Sequence, residues 1–364
     1  MKLAEVIAVF EKAVPKDFQE DYDNTGLAVG MPDMDVHGAL LCIDVTEAVI
    51  AEAIQWGANL IISHHPVIFN PLKKITGSTY TERIVSAAIR NNIALFSAHT
   101  NIDNFPEGVN QKICTKLGIL RPRVLLPLKA GLRKLVTFVP AAHAEKVRTA
   151  LFAAGAGSIG KYDQCSFNSE GTGSFRASSE ANPFAGEKGK LHFEQEVRIE
   201  TVFPAPLQKE IMKALVQNHP YEEVAYDIFQ LENTYEKAGA GLVGDLSEPM
   251  DEKGFLEQVK NTFHCGVIKH SPLLGKPVTS VAVCGGSGSF LIQRAIRAGA
   301  DMFLTADVKY HQFFDADNNI VIADIGHYES EQFTIEIFYE ILTKKITNFA
   351  IRFSSINPNC INYL

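Results

Sequence analysis

Apolar positions along this chain follow two periods in turn. Leu3, Val6, Ile7 and Phe10 recur at helical spacing, which predicts a helix over residues 1–14 closed by Pro15. Asp23-Asn24-Thr25-Gly26 is a turn signal ahead of Leu27-Ala28-Val29. Continuous apolar runs at 39–43, 60–62 and 93–97 read as buried strands. Between them lie helical stretches at 47–56, stopped by Gly57, and around 81–90. Unbroken apolar strands alternating with helices argue for a mostly parallel sheet covered on both faces.

From about Leu132 the pattern changes. Strands are expected at 134–139, 162–168, 192–203 and 224–231, with helices at 144–154 and 207–218 and a Gly/Ser-rich stretch at 171–189. The order βαββαβ is the split ferredoxin-like unit, which can close a core of its own. We therefore expect an inserted α+β domain at 132–236, between core halves at 1–131 and 237–364.

After about Gly239 the first pattern returns, with strands at 278–284, 302–305 and 320–323 and a helix at 290–298. The outer halves align: Cys42 falls on Cys284, Gly57-Ala58 on Gly299-Ala300, and His64-His65 on Ala306-Asp307. Further along, His99 falls on His327, and each has a carboxylate four residues later, Asp103 and Glu331. A weak internal duplication of this kind implies two similar halves forming one sheet. The fold class expected is α/β, a duplicated, mostly parallel core interrupted by the insert.

Composition narrows the functional classes. The chain of 364 residues is 46% hydrophobic and 21% charged, as for a globular protein. Its net charge of −8, without a long basic run, argues against a dedicated nucleic-acid binder. The cysteines are scattered with no C-x-x-C pair, and Cys42, Cys114 and Cys284 lie in apolar segments, which points to a reducing compartment. The N-terminal stretch is too short and too broken by Glu5 for a signal peptide, and no apolar run has membrane-spanning length, so a cytoplasmic location is expected.

The candidate chemistry sits at strand ends. His64 and His65 close the run Asn59-Leu60-Ile61-Ile62, and Pro66 pushes His65 toward an extended or turn conformation on the loop. Ligand sites of α/β folds lie at that end of the strands. His327 and Glu331, one helical turn apart, share a face. Imidazoles and carboxylates without thiols suit Zn, Mn, Fe, Co or Ni in a site that is not structural zinc. Five ligands, His64, His65, Asp103, His327 and Glu331, exceed what one open metal site needs. They suit two divalent ions roughly 3.5–4 Å apart, bridged by a carboxylate and a water or hydroxide.

Other residues carry two readings each. His99 is either a proton carrier or orienting group beside the metals, or a buried hydrogen-bonded histidine. Asp307 and His311 stand where the duplicate carries its histidine pair. His219 and Glu222 of the insert either approach the metals or serve turns and packing, the second being favoured. Gly285-Gly286-Ser287-Gly288 could hold an anion on its amides, but a tight turn needing small residues explains it better. Gly155 to Gly160 matches G-x-G-x-x-G but follows a helix instead of opening one, so a dinucleotide site is rejected.

His64-His65-Pro66, Ala98-His99-Thr100-Asn101-Ile102-Asp103 and Gly326-His327-Tyr328-Glu329-Ser330-Glu331 resemble the signatures of the Nif-three-like dinuclear metal-centre family. Asp23 to Leu27 and Thr305 to His311 also fit its pattern; Tyr22 departs from the tryptophan many relatives carry before Asp-Asn. Gly171 to Arg176, Asn182-Pro183-Phe184 and His219 to Glu223 resemble the longer bacterial members. The resemblance implies a PII- or CutA-like insert, a toroidal homohexamer with metal pairs facing its interior, and ligands at the five positions above. It also implies the label GTP cyclohydrolase I type 2 homologue. Two functions follow as expectations. The first is a metal-dependent hydrolase of a nucleotide-like or other small substrate. The second is a non-catalytic metal-binding or regulatory assembly that senses a ligand or partner through the insert.

Overall fold

The three apolar runs of the first half lie side by side as parallel strands, Gly38–Cys42, Leu60–Ser63 and Ala94–Ser97, with Leu41 opposite Ile62 and Ile62 opposite Phe96. Successive side chains alternate faces. Leu40, Ile61 and Leu95 therefore pack on helices Glu47–Trp56 and Tyr80–Arg90 through Val49, Ile50, Ala53, Ile84 and Ala88. Leu41, Ile62 and Phe96 point the other way, into a core shared with Leu3, Val6 and Phe10 of the first helix. Thr46 and Thr79 start the two covering helices by accepting the Val49 and Glu82 amides, and Gly57 ends the first in the left-handed region at φ 80°.

The structure is a computed structural model that describes residues 1–129 and 131–364. It divides into two compact units, Met1–Pro127 with Glu236–Leu364, and Leu128–Tyr235.

The second half of the first unit repeats the first. Val278–Ser287, Met302–Ala306 and Val321–Asp324 are parallel neighbours. Ala282, Phe303 and Ile322 pack on Leu291, Ile292 and Ala295, while Val283, Leu304 and Ala323 face the shared core. The Gly-Ala match has a structural reason. Gly57 and Gly299 (φ 78°) both leave a helix, and the amides of Ala58 and Ala300 close it on the carbonyls of Ala53 and Ala295.

The halves do not form one sheet. They form two, of five and six strands, whose inner faces share one core. Antiparallel strands close one edge of each sheet, Gly26–Val29 on Ala94–Ser97 and Lys269–His270 on Val321–Asp324. At the opposite edges the halves exchange strands. Ala350–Phe353 pairs with Gly38–Cys42, and Leu120–Leu128 joins the second sheet beside Tyr235–Met250. The first sheet is parallel but for its Gly26–Val29 edge, whereas the second is mixed. Phe10 joins the halves, meeting Phe96 and Phe338 edge-on at 5.4 and 5.3 Å.

The second unit is an antiparallel sheet in the order Phe167–Arg176, Leu191–Pro204, Leu132–Pro140, Tyr226–Gln230. Helices Ala144–Ala153 and Gln208–Asn218 cover one face through Val147, Leu151, Ile211 and Leu215 on Leu135, Val139, Ile199 and Phe203. Its second strand is later than the sequence pattern suggests: Tyr162 makes only a bridge to Ile159, while the glycine-rich residues pair through Arg176 opposite Leu191. Ladder bonds use the backbone, so a long partner strand overrides weak side-chain propensity. Among the described residues no helix is long and apolar enough to cross a membrane.

Candidate metal centre

The histidine pair stays together because the strand turns there. The His64 and His65 amides still bond the carbonyls of Cys42 and Ile43, and Ser63 Oγ donates to the His65 carbonyl, so the rings end 4.8 Å apart. After Ala94–Ser97 comes the one-turn helix Thr100–Asp103, and after Val321–Asp324 the short helix His327–Glu331. Their carboxylates turn back toward the histidines. Glu331 Oε2 lies 3.0 Å from His65 Nε2, 3.2 Å from His327 Nε2 and 3.5 Å from His64 Nε2, and Asp103 Oδ1 is 3.7 Å from His64 Nε2.

Every imidazole here is held at its far nitrogen. Nδ1 of His64 donates to the Ala98 carbonyl (2.9 Å), of His65 to Asp44 (2.8 Å), of His99 to Asp23 (2.8 Å), and of His327 to Asp307 (2.6 Å). That fixes Nε2 as the nitrogen turned to the centre, the arrangement of metal-binding histidines. His65 and His327 bring these nitrogens within 3.3 Å of each other. Two lone pairs so placed repel unless a proton or a cation lies between them.

Buried atoms test whether a metal fits. Among the described residues, His64 Nε2, Asp103 Oδ1 and Glu331 Oε2 are buried side-chain atoms without a hydrogen-bond partner, and all three converge on this space. Each such atom costs about 1–3 kcal/mol if nothing meets it. Ligand atoms lie within 4.8 Å of one another in three sets: His64, Asp103 and Glu331; His65, His327 and Glu331; and His64, His65 and His99. The first two share Glu331, so the donors suit two adjacent cations bridged by one carboxylate.

Charge points the same way. Burial and the nearby Glu331 push Asp103 up to about 8. Burial opposes charge on His65, yet its bond to Asp44 and the Glu331 carboxylate 3.0 Å away raise it to about 10. Burial likewise opposes charge on His327, and Glu331 with Asp307 raises it to about 11. Burial works against ionised Glu331 too, but the surrounding histidines hold it well below the usual carboxylate range. Without metal the site thus keeps protons in the place of cationic charge.

The structure brings together His64, His65, His99, Asp103, His327 and Glu331. It leaves His311 outside, exposed with its ring against Tyr310. His219 uses both ring nitrogens within the insert, on the Phe138 carbonyl and the Tyr221 amide, and Glu222 accepts the Asn182 amide. The Gly285 and Gly288 amides are taken by Asn110 and Thr305 and that of Gly286 by Ser330, so three of that loop's four amides are spent within the protein. Gly286 has a steric reason: at φ 61°, a Cβ there would lie 2.3 Å from Glu331 Oε1. Asp44 and the hold of Asp23 on His99 escaped the sequence reading. Both are single carboxylates near strand ends or turns, which sequence alone does not separate from caps.

Residues 1–360 match the model of the Duf34/NIF3 (NGG1p interacting factor 3) family. A GTP cyclohydrolase 1 type 2 homolog of Halalkalibacterium halodurans is 41% identical over 332 residues, 90% of this chain and 89% of that one. One of the same name from Bacillus subtilis is 39% identical over 346 residues, 94% of this chain and 91% of its own. Among solved structures, a Bacillus cereus protein related to NIF3 superposes with a TM-score of 0.85 at 40% identity, covering 100% of this chain and 99% of that one.

Proposed function

Since the chain belongs to the Duf34/NIF3 family, we propose that it is a dinuclear metal protein that hydrolyses a nucleotide-like or other small substrate. The observation that carries this is the convergence of three partnerless buried atoms, His64 Nε2, Asp103 Oδ1 and Glu331 Oε2, on space also faced by His65 and His327. His64, His65, Asp103 and His327 would hold the ions and Glu331 would bridge them. Divalent ions in such a site supply Lewis acidity to a water nucleophile and to the group it attacks.

The remaining chemistry belongs to the chain. His64 and Glu331 form a floor closed to water, at 0% and 3% side-chain exposure, while His327 and Asp307 open to solvent at 38% and 53%. Substrate enters from that open side. His99, its Nδ1 held by Asp23, would take up and return a proton at Nε2 during the reaction. The nucleotide-like substrate class rests on the name its relatives carry, and the reading includes assembly as a homohexamer, which light scattering measures as six chain masses.

Elemental analysis of protein purified without chelator tests the centre. About two metals per chain are expected, falling in both His64→Ala and Glu331→Ala. A folded wild type that takes up no Zn, Mn or Fe overturns the reading. Full metal without turnover on a panel of nucleotides and phosphate or amide esters would leave a non-catalytic assembly.

A further inference from the structure

The face of the insert sheet that carries no helices holds a cavity of about 680 Å³. Residues directly opposite in a ladder share a face, so Phe175, Gly171 and Ser169 lie on one side with Glu196 and Arg198. Residues 177–184 and 221–225 fold over that floor, and the Asn182 amide on Glu222 (2.7 Å) ties the two segments together. Phe175 and Phe184 flank Tyr221, with ring centres 5.8 and 6.2 Å from it.

Two glycines and a carboxylate give the cavity its chemistry. Tyr221 donates its hydroxyl to Glu196 (2.8 Å), and Gly173 makes room for that carboxylate, since a Cβ there would lie 2.1 Å from Glu196 Oε2. Gly171 is different. Its φ is not positive and a Cβ would meet nothing within 4 Å, so neither backbone nor packing requires glycine in this mid-strand position. Glycine weakens a strand, and one without a local reason marks a place where something else approaches closely. On this side the lining carries three carboxylates, Glu196, Glu222 and Glu223, against Arg198, which is paired with Glu200 at 2.8 Å, while Glu170 and Arg176 alternate to the helix-covered face.

We propose that this cavity binds a small organic cation, an ammonium or amidinium group on an aromatic or apolar body. The rings of Phe175, Phe184 and Tyr221 cover the body and favour positive charge at their faces. Glu196, held in place by Tyr221, accepts the N–H donors of the cationic group.

The test is calorimetric titration of the full chain with four probes of one ring: 2-phenylethylammonium, benzamidinium, neutral 2-phenylethanol and anionic phenylacetate. Saturable binding of at least one cation is expected, with the neutral and anionic probes at least tenfold weaker. Glu196→Gln should weaken the cation tenfold or more, and Gly171→Val, which fills the floor, should abolish it while the unfolding temperature stays within a few degrees of wild type. If Gly171→Val unfolds early, Gly171→Ala replaces it, with a several-fold loss expected. No saturable cation binding, equal or tighter phenylacetate binding, or affinity unchanged in both variants overturns the proposal. None of these residues belongs to the metal cluster, so the outcome stands apart from the hydrolase reading.

Discussion

Asp103 Oδ1 and Glu331 Oε2 stand 3.7 and 3.5 Å from the same nitrogen, His64 Nε2, and neither accepts a hydrogen bond. They are counterparts in the duplicated halves. Each ends a short helix that leaves the third parallel strand of its sheet, and each follows a histidine by one turn. The copies have diverged in one respect. Glu331 also reaches His65 and His327, at 3.0 and 3.2 Å, and so belongs to two of the donor sets that could hold a metal ion where Asp103 belongs to one.

That difference predicts unequal losses. Glu331→Ala should empty the site of both ions, whereas Asp103→Ala should retain about one per chain. Inductively coupled plasma analysis of folded variants reads the ratio directly. If Asp103→Ala strips the protein as completely as Glu331→Ala, Glu331 is not the bridging carboxylate.

The carboxylates behind the ring nitrogens should matter almost as much as the ligands. Asp44 and Asp307 hold Nδ1 of His65 and His327, and the bond to His327 keeps Asp307 low, at about 2 despite burial. Loss of such partners costs roughly 10–100-fold in metal affinity at known sites. Asp44→Asn and Asp307→Asn should fall in that range in competition with a chelating dye. Affinities equal to wild type would mean the rings are oriented by packing alone.

The histidine pair and the repeated His-x-x-x-carboxylate were legible because the chemistry is local: a strand end and one helical turn fix which side chains meet. The partners that orient them were not. Asp23 lies 76 residues from His99 and Asp44 lies 21 from His65, and only folding brings each to its ring. The two-sheet core was hidden for a similar reason. Ala350–Phe353 reaches its partner Gly38–Cys42 across nearly the whole chain, and nothing in either segment names the other. Gly286 was readable as a place for a small residue, but its reason, the carboxylate of Glu331, was not.

Gly286→Ala should therefore act on the metal site as well as on the backbone. The new Cβ would meet Glu331 Oε1 at 2.3 Å in a left-handed conformation, at a stability cost on the order of 1–3 kcal/mol. Gly57→Ala is the control, with positive φ but nothing within 4 Å of the added carbon. Both variants should unfold earlier than wild type, but only Gly286→Ala should lose metal. Equal metal content in the two would mean that the position of Glu331 beside Gly286 does not govern metal binding.

Chelation should reverse the way the protein responds to pH. In the metal-free chain His65 and His327 are raised to about 10 and 11, above the unfolded histidine value of about 6.5. Groups raised in this way contribute stability that is complete below about 6.5 and is lost as pH climbs through the folded values. Asp103, raised to about 8, acts in the same direction, because its folded carboxyl holds a proton that the unfolded one gives up. The metal-free unfolding temperature should therefore fall between about pH 6.5 and 10. Metal must displace those same protons, so its apparent affinity should rise over that window, and saturating metal should flatten or reverse the fall. Scanning calorimetry with and without chelator checks both slopes. Parallel curves would show that the protons on this cluster and the metal do not compete for the same atoms.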